Sequence, residues 1–289
     1  MLKDLALTYN TVIGSNCVYV DVSNVGTAVL EVEHATLGAA DHREIASMVA
    51  DRILESLPKT GVAVSVVVPI YNEEAIVRDL VTMLLHFFGD FPFKTELLLC
   101  ENGSRDGTRD IAQRLAAQYE NVSLRSLDEP SYGSALKVGM RHAAADLVVI
   151  FNADLWCRRF FVDAVLLLQG GYDMVIGSKR LVPSFDHRPA VRRAITTAFN
   201  SFLRAVFGFA GTDTHGMKAL RRSRVLAALD ECVTEREVFD TELVLRFQRM
   251  GGRICEVPTE VRNGRPARFS LLRRVPSTIA DLYRIWKTL

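Results

Sequence analysis

The chain has 289 residues, 49% of them hydrophobic, which is enough for one large core and a small appendage. Lys and Arg number 35 against 34 Asp and Glu, so no bulk charge recruits nucleic acid. Five cysteines, at 17, 100, 157, 232 and 255, are odd in number and form no C-x-x-C, which favours reduced thiols of a cytoplasmic protein over a disulfide or zinc framework. The N-terminus lacks the basic and apolar regions of a signal peptide, and no apolar stretch approaches the roughly 20 residues of a spanning helix.

Residues 1–60 read as a small appendage. Val18, Val20 and Val22 alternate with Tyr19 and Asp21, and residues 27–32 are set to return as a hairpin partner. Asp41, with Glu44 three residues on, is placed to cap a helix running through 57. PKTG at 58–61 is the expected linker, so the expected division is 1–60 and 61–289.

From 61 to 180 the pattern alternates. Apolar runs at 62–68, 95–100, 121–126, 146–151 and 172–177 predict strands, and helical periodicity fills 74–88, 108–119 and 134–145. Strands alternating with helices imply βαβ units, a mostly parallel sheet and an α/β fold with helices on both faces. Ligands of such sheets bind beyond the carboxyl ends of the strands. Three polar clusters fall there: VVVPIYNEE at 66–74, CENGSRDGT at 100–108 and FNADLW at 151–156. Each alone has a structural reading as a turn or a helix cap. Together, on neighbouring strand ends, they point to one shared site.

Further along, Glu260 to Asp281 encloses Arg262, Arg265, Arg268, Arg273 and Arg274 without an acid, while Gly264, Pro266 and Phe269 interrupt any regular surface helix. Guanidinium forks in such a loop suit phosphate. The C-terminal PSTIADLYRIWKTL groups Ile279, Leu282, Tyr283 and Trp286 on one face, either to dock on the core or, with LLRR before it, to lie on an anionic membrane surface.

The ordered motifs P-x-Y-N-E, N-G-S-x-D-G-T and A-D resemble the family 2 glycosyltransferases of the GT-A fold. Ile176–Arg180 is similar to that family's G-S-R, Asp213–Lys218 to D-x-x-x-G-[FM]-[KR], and Phe239–Leu243 with Glu256-Val257-Pro258 to its distal half. The likeness covers roughly 62–289 and is nearest to dolichyl- or polyprenyl-phosphate mannose and glucose synthases.

That resemblance implies an inverting transfer from a nucleoside-diphosphate sugar, GDP- or UDP-linked, to an acceptor. A lipid phosphate is the first choice of acceptor. A soluble small molecule or another sugar is the second, and a catalytically weak nucleotide-sugar binder is a third reading. By resemblance the donor lies on Pro69, Tyr71, Glu73 and Ala153, with Glu101, Asn102 and Asp106 around base and ribose, and Arg262 and Arg268 on phosphate. Asp154 and Asn152 would hold a divalent cation, Mg or Mn, although the family more often has Asp at 152 and Gln or His where Trp156 stands. Arg180 adds a cation, and Asp213 and His215 fall on the acceptor side. Asp240 is the candidate general base if the acceptor is a hydroxyl, and an orienting group if it is a phosphate. The implied location is cytoplasmic, with peripheral membrane contact through 268–289.

Overall fold

The structure, a computed structural model, describes residues 11–14, 17–22, 26–30, 54–182, 185–236, 238–259 and 271–289. Strands β1 (Thr11–Gly14), β2 (Cys17–Val22) and β3 (Gly26–Leu30) form an antiparallel meander in that order. The β2–β3 pairing matches the expected hairpin, with Tyr19 opposite Val29. β1 has four residues, too few to display an alternation. The expected helix from Asp41 lies outside the described residues, except for its end, where Leu54 and Leu57 are buried in the main core.

The main sheet has seven strands: β4 (Val62–Ile70), β5 (Lys94–Asn102), β6 (Val122–Leu127), β7 (Leu147–Ile150), β8 (Met174–Ser178), β9 (Lys218–Arg221) and β10 (Ile254–Pro258). Their spatial order is β10-β8-β9-β7-β4-β5-β6, with every neighbour parallel except β9, which runs antiparallel between β7 and β8. The helices are α1 (Val77–Phe88), α2 (Thr108–Gln118), α3 (Tyr132–His142), α4 (Arg158–Gln169), α5 (Ala190–Phe207), α6 (Arg222–Glu231), α7 (Phe239–Arg249) and α8 (Leu271–Thr288).

Both faces of the sheet are covered, which is why the strands read as continuous apolar runs rather than alternations. Val64, Val66 and Val68 of β4, Leu97 and Leu99 of β5, and Val149 of β7 pack with α1, α2 and α4. The intervening Val67, Leu98, Cys100, Val148 and Ile150 pack with α3, α6 and α7 on the other face. α3 lies close on the sheet at Gly139, where a Cβ would stand 2.4 Å from Val67 Cγ1.

The five expected strands and three expected helices are all present, with their ends moved. α3 starts early because Ser131 caps it, accepting from the Ser134 amide, and it stops at His142 because Ala143 leaves helical backbone geometry. α8 divides the face that the sequence left open between core and surface. Leu282 is buried together with Ile285, whereas Ile279, Tyr283 and Trp286 are exposed, so three of the four residues of that face look outward. Among the described residues, no helix is long and apolar enough to cross a membrane.

Candidate active site

The three polar clusters meet beyond the carboxyl ends of β4, β5 and β7. After β7 the chain makes a tight reversal. The Asn152 and Leu155 amides each donate to the other's carbonyl at 3.1 Å, leaving Ala153 and Asp154 at the tip. That turn keeps the Asp154 side chain exposed, two residues from Asn152. Trp156 then folds back onto Phe87 and Phe151, with ring centroids at 5.8 and 6.5 Å. The third metal position of the resembled family is therefore occupied here by an aromatic packing residue.

The β4–α1 and β5–α2 loops are laced together. Asn72 sits in the left-handed region at φ 53°, which an Asn tolerates better than most residues. Its Oδ1 accepts from the Arg105 amide at 2.9 Å and its own amide donates to Ser104 Oγ at 3.0 Å. The Glu73 amide donates to Thr108 Oγ1 at 2.7 Å, and Glu74 Oε2 accepts from the Gly107 amide at 2.8 Å. Asp106 accepts from the Thr108 amide at 3.0 Å. Desolvation pushes its carboxyl up, but the hydrogen bonds from Thr108 and Glu74 outweigh it and hold the carboxyl below 3.8. Glu101 is wholly buried, accepting from Arg109 Nε at 2.7 Å and from the Ser104 amide.

The cavity these loops enclose has a volume of about 370 Å³ and is lined by Pro69, Ile70, Tyr71, Glu73, Asn102, Tyr132, Asn152, Ala153 and Asp154. Seven of the donor and metal residues read from the sequence are therefore together, while Glu101 and Asp106 lie behind the lining and brace it. Ile70 and Tyr132 are additions that sequence reading missed. Among the described residues, the lining carries the carboxylates of Glu73 and Asp154 and no cationic side chain. A diphosphate entering it needs a compensating cation, and the donors offered by Asp154 and Asn152 are oxygens, suited to a hard ion. Among the described residues no three His, Cys, Asp or Glu side chains cluster as a metal cage. The two residues fit an ion whose remaining ligands are substrate oxygens and water, the usual arrangement for magnesium on a phosphate substrate.

Beside Tyr132 lies a second polar layer. The Tyr132 hydroxyl donates to Asp240 Oδ2 at 3.1 Å, and Lys218 Nζ pairs with Asp240 Oδ1 at 3.0 Å. Lys218 also donates to the Gly216 carbonyl at 3.0 Å. Burial, reinforced by the Asp240 charge, pushes the Tyr132 phenol well above 10. Both oxygens of Asp240 are thus engaged.

Next to it, Thr212 and Asp213 are fixed by Glu256, which accepts both backbone amides at 2.8 and 3.0 Å. Burial pushes the Asp213 carboxyl up, but the Lys179 ammonium and the His215 amide hold it below 3.8. His215 is exposed on one side, while its Nδ1 lies 3.0 Å from Thr214 Oγ1 and its ring centroid 5.9 Å from that of Phe199 on the other. Desolvation therefore lowers its pKa from 6.5; Asp240 opposes the shift, and Lys218 and Lys179 add to it. Arg180 reaches Thr197 Oγ1 at 2.7 Å and Asp186 at 3.7 Å, outside the cavity lining. Arg262 and Arg268 lie outside the described residues.

A family model described as glycosyl transferase family 2 matches residues 65–229, more than half of the chain. Glycosyltransferase AglD of Haloferax volcanii is 29% identical over 232 residues, covering 78% of this chain and 37% of AglD. The undecaprenyl-phosphate 4-deoxy-4-formamido-L-arabinose transferase of Shewanella sediminis is 30% identical over 191 residues, 64% of this chain and 56% of that protein. Dolichyl-phosphate beta-glucosyltransferase ALG5A of Trichomonas vaginalis is 25% identical over 216 residues, 69% and 66% respectively. The chain thus spans 37% to 66% of the length of these relatives. Among solved structures, glucosyl-3-phosphoglycerate synthase of Mycobacterium tuberculosis, with Mn2+, UDP and phosphoglyceric acid, aligns at a TM-score of 0.54 and 21% identity, covering 82% of this chain and 81% of that one. The mannosyltransferase PcManGT of Pyrobaculum calidifontis, with GDP-Man and Mn2+, aligns at 0.52 and 22% identity, covering 85% and 75%. The family match begins inside β4, ends inside α6 and takes in every residue of the cavity lining; the chain belongs to the family 2 glycosyltransferases and has the GT-A fold.

Proposed function

We propose that the chain is an inverting glycosyltransferase that moves a sugar from a GDP- or UDP-linked donor to a polyprenyl or dolichyl phosphate. The observation that carries this reading is the convergence of Tyr71, Glu73, Asn102, Asn152 and Asp154 on one cavity at the carboxyl ends of parallel strands. Tyr71 offers a ring face, and Glu73 and Asn102 offer hydrogen-bonding groups for ribose and base. Asp154 and Asn152 would hold the divalent cation, Mg or Mn, which when bound offsets the charge building on the departing diphosphate.

The acceptor attacks the anomeric carbon from the side opposite the diphosphate. A phosphate acceptor arrives largely ionised and needs no general base. That suits Asp240, whose oxygens are taken by Lys218 and Tyr132, and gives it an orienting role. Asp213 and His215 fall on the acceptor side, and Arg180, Arg262 and Arg268 supply forks for phosphate oxygens. The names of the Shewanella and Trichomonas relatives support a lipid phosphate. Exposed Ile279, Tyr283 and Trp286 beside Arg284 and Lys287 support peripheral membrane contact through 268–289. A small phosphorylated acceptor is the second reading, because the engaged Asp240 suits any acceptor that is already an anion.

Asp154→Ala tests the donor half. Its side chain is exposed, so the fold should hold, while loss of a Lewis-acid site costs several kcal/mol of transition-state stabilisation, on the order of a thousandfold in turnover. Radiolabelled transfer from UDP- and GDP-sugars to undecaprenyl phosphate, dolichyl phosphate and 3-phosphoglycerate would be measured. Undiminished turnover by the variant would refute the metal–diphosphate assignment, and product only with phosphoglycerate would select the second acceptor.

A further inference from the structure

One side chain joins the donor cavity to the buried layer behind it. Tyr132 opens α3 and lines the cavity beside Asn152, Ala153 and Asp154. Its hydroxyl lies 3.1 Å from Asp240 Oδ2. Asp240 sits in the first turn of α7, is 6% exposed and does not itself line the cavity. Its other oxygen is held by Lys218 at 3.0 Å, and Lys218 is fixed in turn by the Gly216 carbonyl. Among the described residues, Tyr132 alone both lines the cavity and hydrogen-bonds to Asp240.

The direction of that hydrogen bond follows from its partners. An ionised carboxylate can only accept, so the phenol donates. Burial and the Asp240 charge push the phenol well above 10, and it keeps its proton across the neutral range. Without this partner, a carboxylate oxygen on the side of the cavity would bind water instead. A water within hydrogen-bond reach of a base is the one that general-base catalysis activates. The Tyr132 hydroxyl takes the place of that water.

We propose that Tyr132 is a specificity-determining residue of the transfer, whose hydroxyl withholds Asp240 from water and from neutral hydroxyl acceptors. An acceptor that arrives ionised needs no base and still reacts. The inference rests on the proposed sugar transfer and deepens it, by assigning the choice of acceptor to a residue of the donor cavity. In the reaction withheld, a water oxygen bonds to the anomeric carbon and the bond from that carbon to the diphosphate oxygen breaks. The water proton passes to Asp240 Oδ2, and free sugar and nucleoside diphosphate leave.

Tyr132→Phe keeps the ring and removes the hydroxyl. Nucleoside diphosphate released from UDP- and GDP-sugars would be measured without acceptor, with undecaprenyl phosphate and with glycerol, alongside calorimetric binding of each nucleotide. Without acceptor, the variant should release nucleoside diphosphate about tenfold or more faster than the wild type, since a positioned base contributes on the order of a hundredfold or more. It should also glycosylate glycerol, which the wild type should not. Adding Asp240→Asn should abolish both gains. If that double variant does not fold, a solvent deuterium isotope effect on hydrolysis by Tyr132→Phe reads the same proton transfer. Three results would overturn the proposal: unchanged hydrolysis by Tyr132→Phe with donor bound, a gain that survives Asp240→Asn, or hydrolysis without an isotope effect. The second would assign the water to Glu73, to Asp154 or to a loosened wall. Hydrolysis gained as stated, with no phosphate glycosylated by the wild type, would end the lipid-phosphate assignment and leave the role of Tyr132 standing. No binding of either nucleotide would overturn both.

Discussion

At the residue scale, the burial of Lys218 sets a cost that its neighbours must offset. An ammonium with 2% exposure has lost nearly all its water, and Asp240 Oδ1 at 3.0 Å together with the Gly216 carbonyl replaces it. Removing one partner of such a pair leaves the other charged and unsolvated. Lys218→Met should destabilise the protein by about 3 kcal/mol, and adding Asp240→Asn should restore part of that loss by removing the orphaned charge. Urea unfolding of both single variants and the double variant gives the coupling. Strictly additive losses would mean that the pair contributes nothing as a pair. This layer shows where sequence reading ends. Asn152 and Asp154 are legible because their turn is local. The contact of Tyr132 with Asp240 joins residues 108 apart in the chain, and neither alone signals the other.

At the scale of elements, the entry of α3 is set by its approach to the loop before α7. The Gly133 amide donates to the Glu235 carbonyl at 2.8 Å, and a Cβ on Gly133 would stand 2.8 Å from Glu235 Cα and from Phe239 Cγ. The constraint is steric, since Gly133 does not need positive φ. Gly133→Ala should therefore cost about 2 kcal/mol through overpacking and raise the KM for donor, because Tyr132, the next residue, lines the cavity. Thermal unfolding with donor titration checks both effects, and a variant as stable as the wild type would show that the loop yields freely. Among the elements, β4, β5, β7, α1 and α2 are legible because each contains an unbroken apolar run or a 3.6-residue repeat. β9 is not: its four residues, Lys-Ala-Leu-Arg, show no period and begin with a buried lysine. The orientation of α8 stays open in the sequence for a related reason. Its sequence offers apolar residues on two sides, and only the packing of Leu282 and Ile285 decides which is covered.

At the scale of the whole molecule, the shifted groups give stability a two-stage dependence on pH. Asp106, Asp146, Asp186 and Asp213 all lie below 3.8 in the folded chain. For Asp186 the chief cause is its hydrogen bond from Arg188; for the other three, hydrogen bonds and cations outweigh the opposing desolvation. A depressed carboxyl contributes stability that is complete above its unfolded value and is lost as pH falls through the folded one. These four therefore act below 3.8. His215 is also depressed, from 6.5, with desolvation as the leading cause. As pH falls the unfolded chain takes up that proton first, so the His215 contribution is whole above 6.5 and declines as pH drops below it. Tm should be flat from about pH 8 to pH 7, fall gently through the histidine window and drop steeply in acid. His215→Gln, which cannot titrate, should remove the gentle fall while keeping the steep one. Scanning calorimetry across that range on both proteins decides the matter: parallel curves between about pH 7 and pH 5 would mean that His215 titrates equally in the folded and unfolded chain.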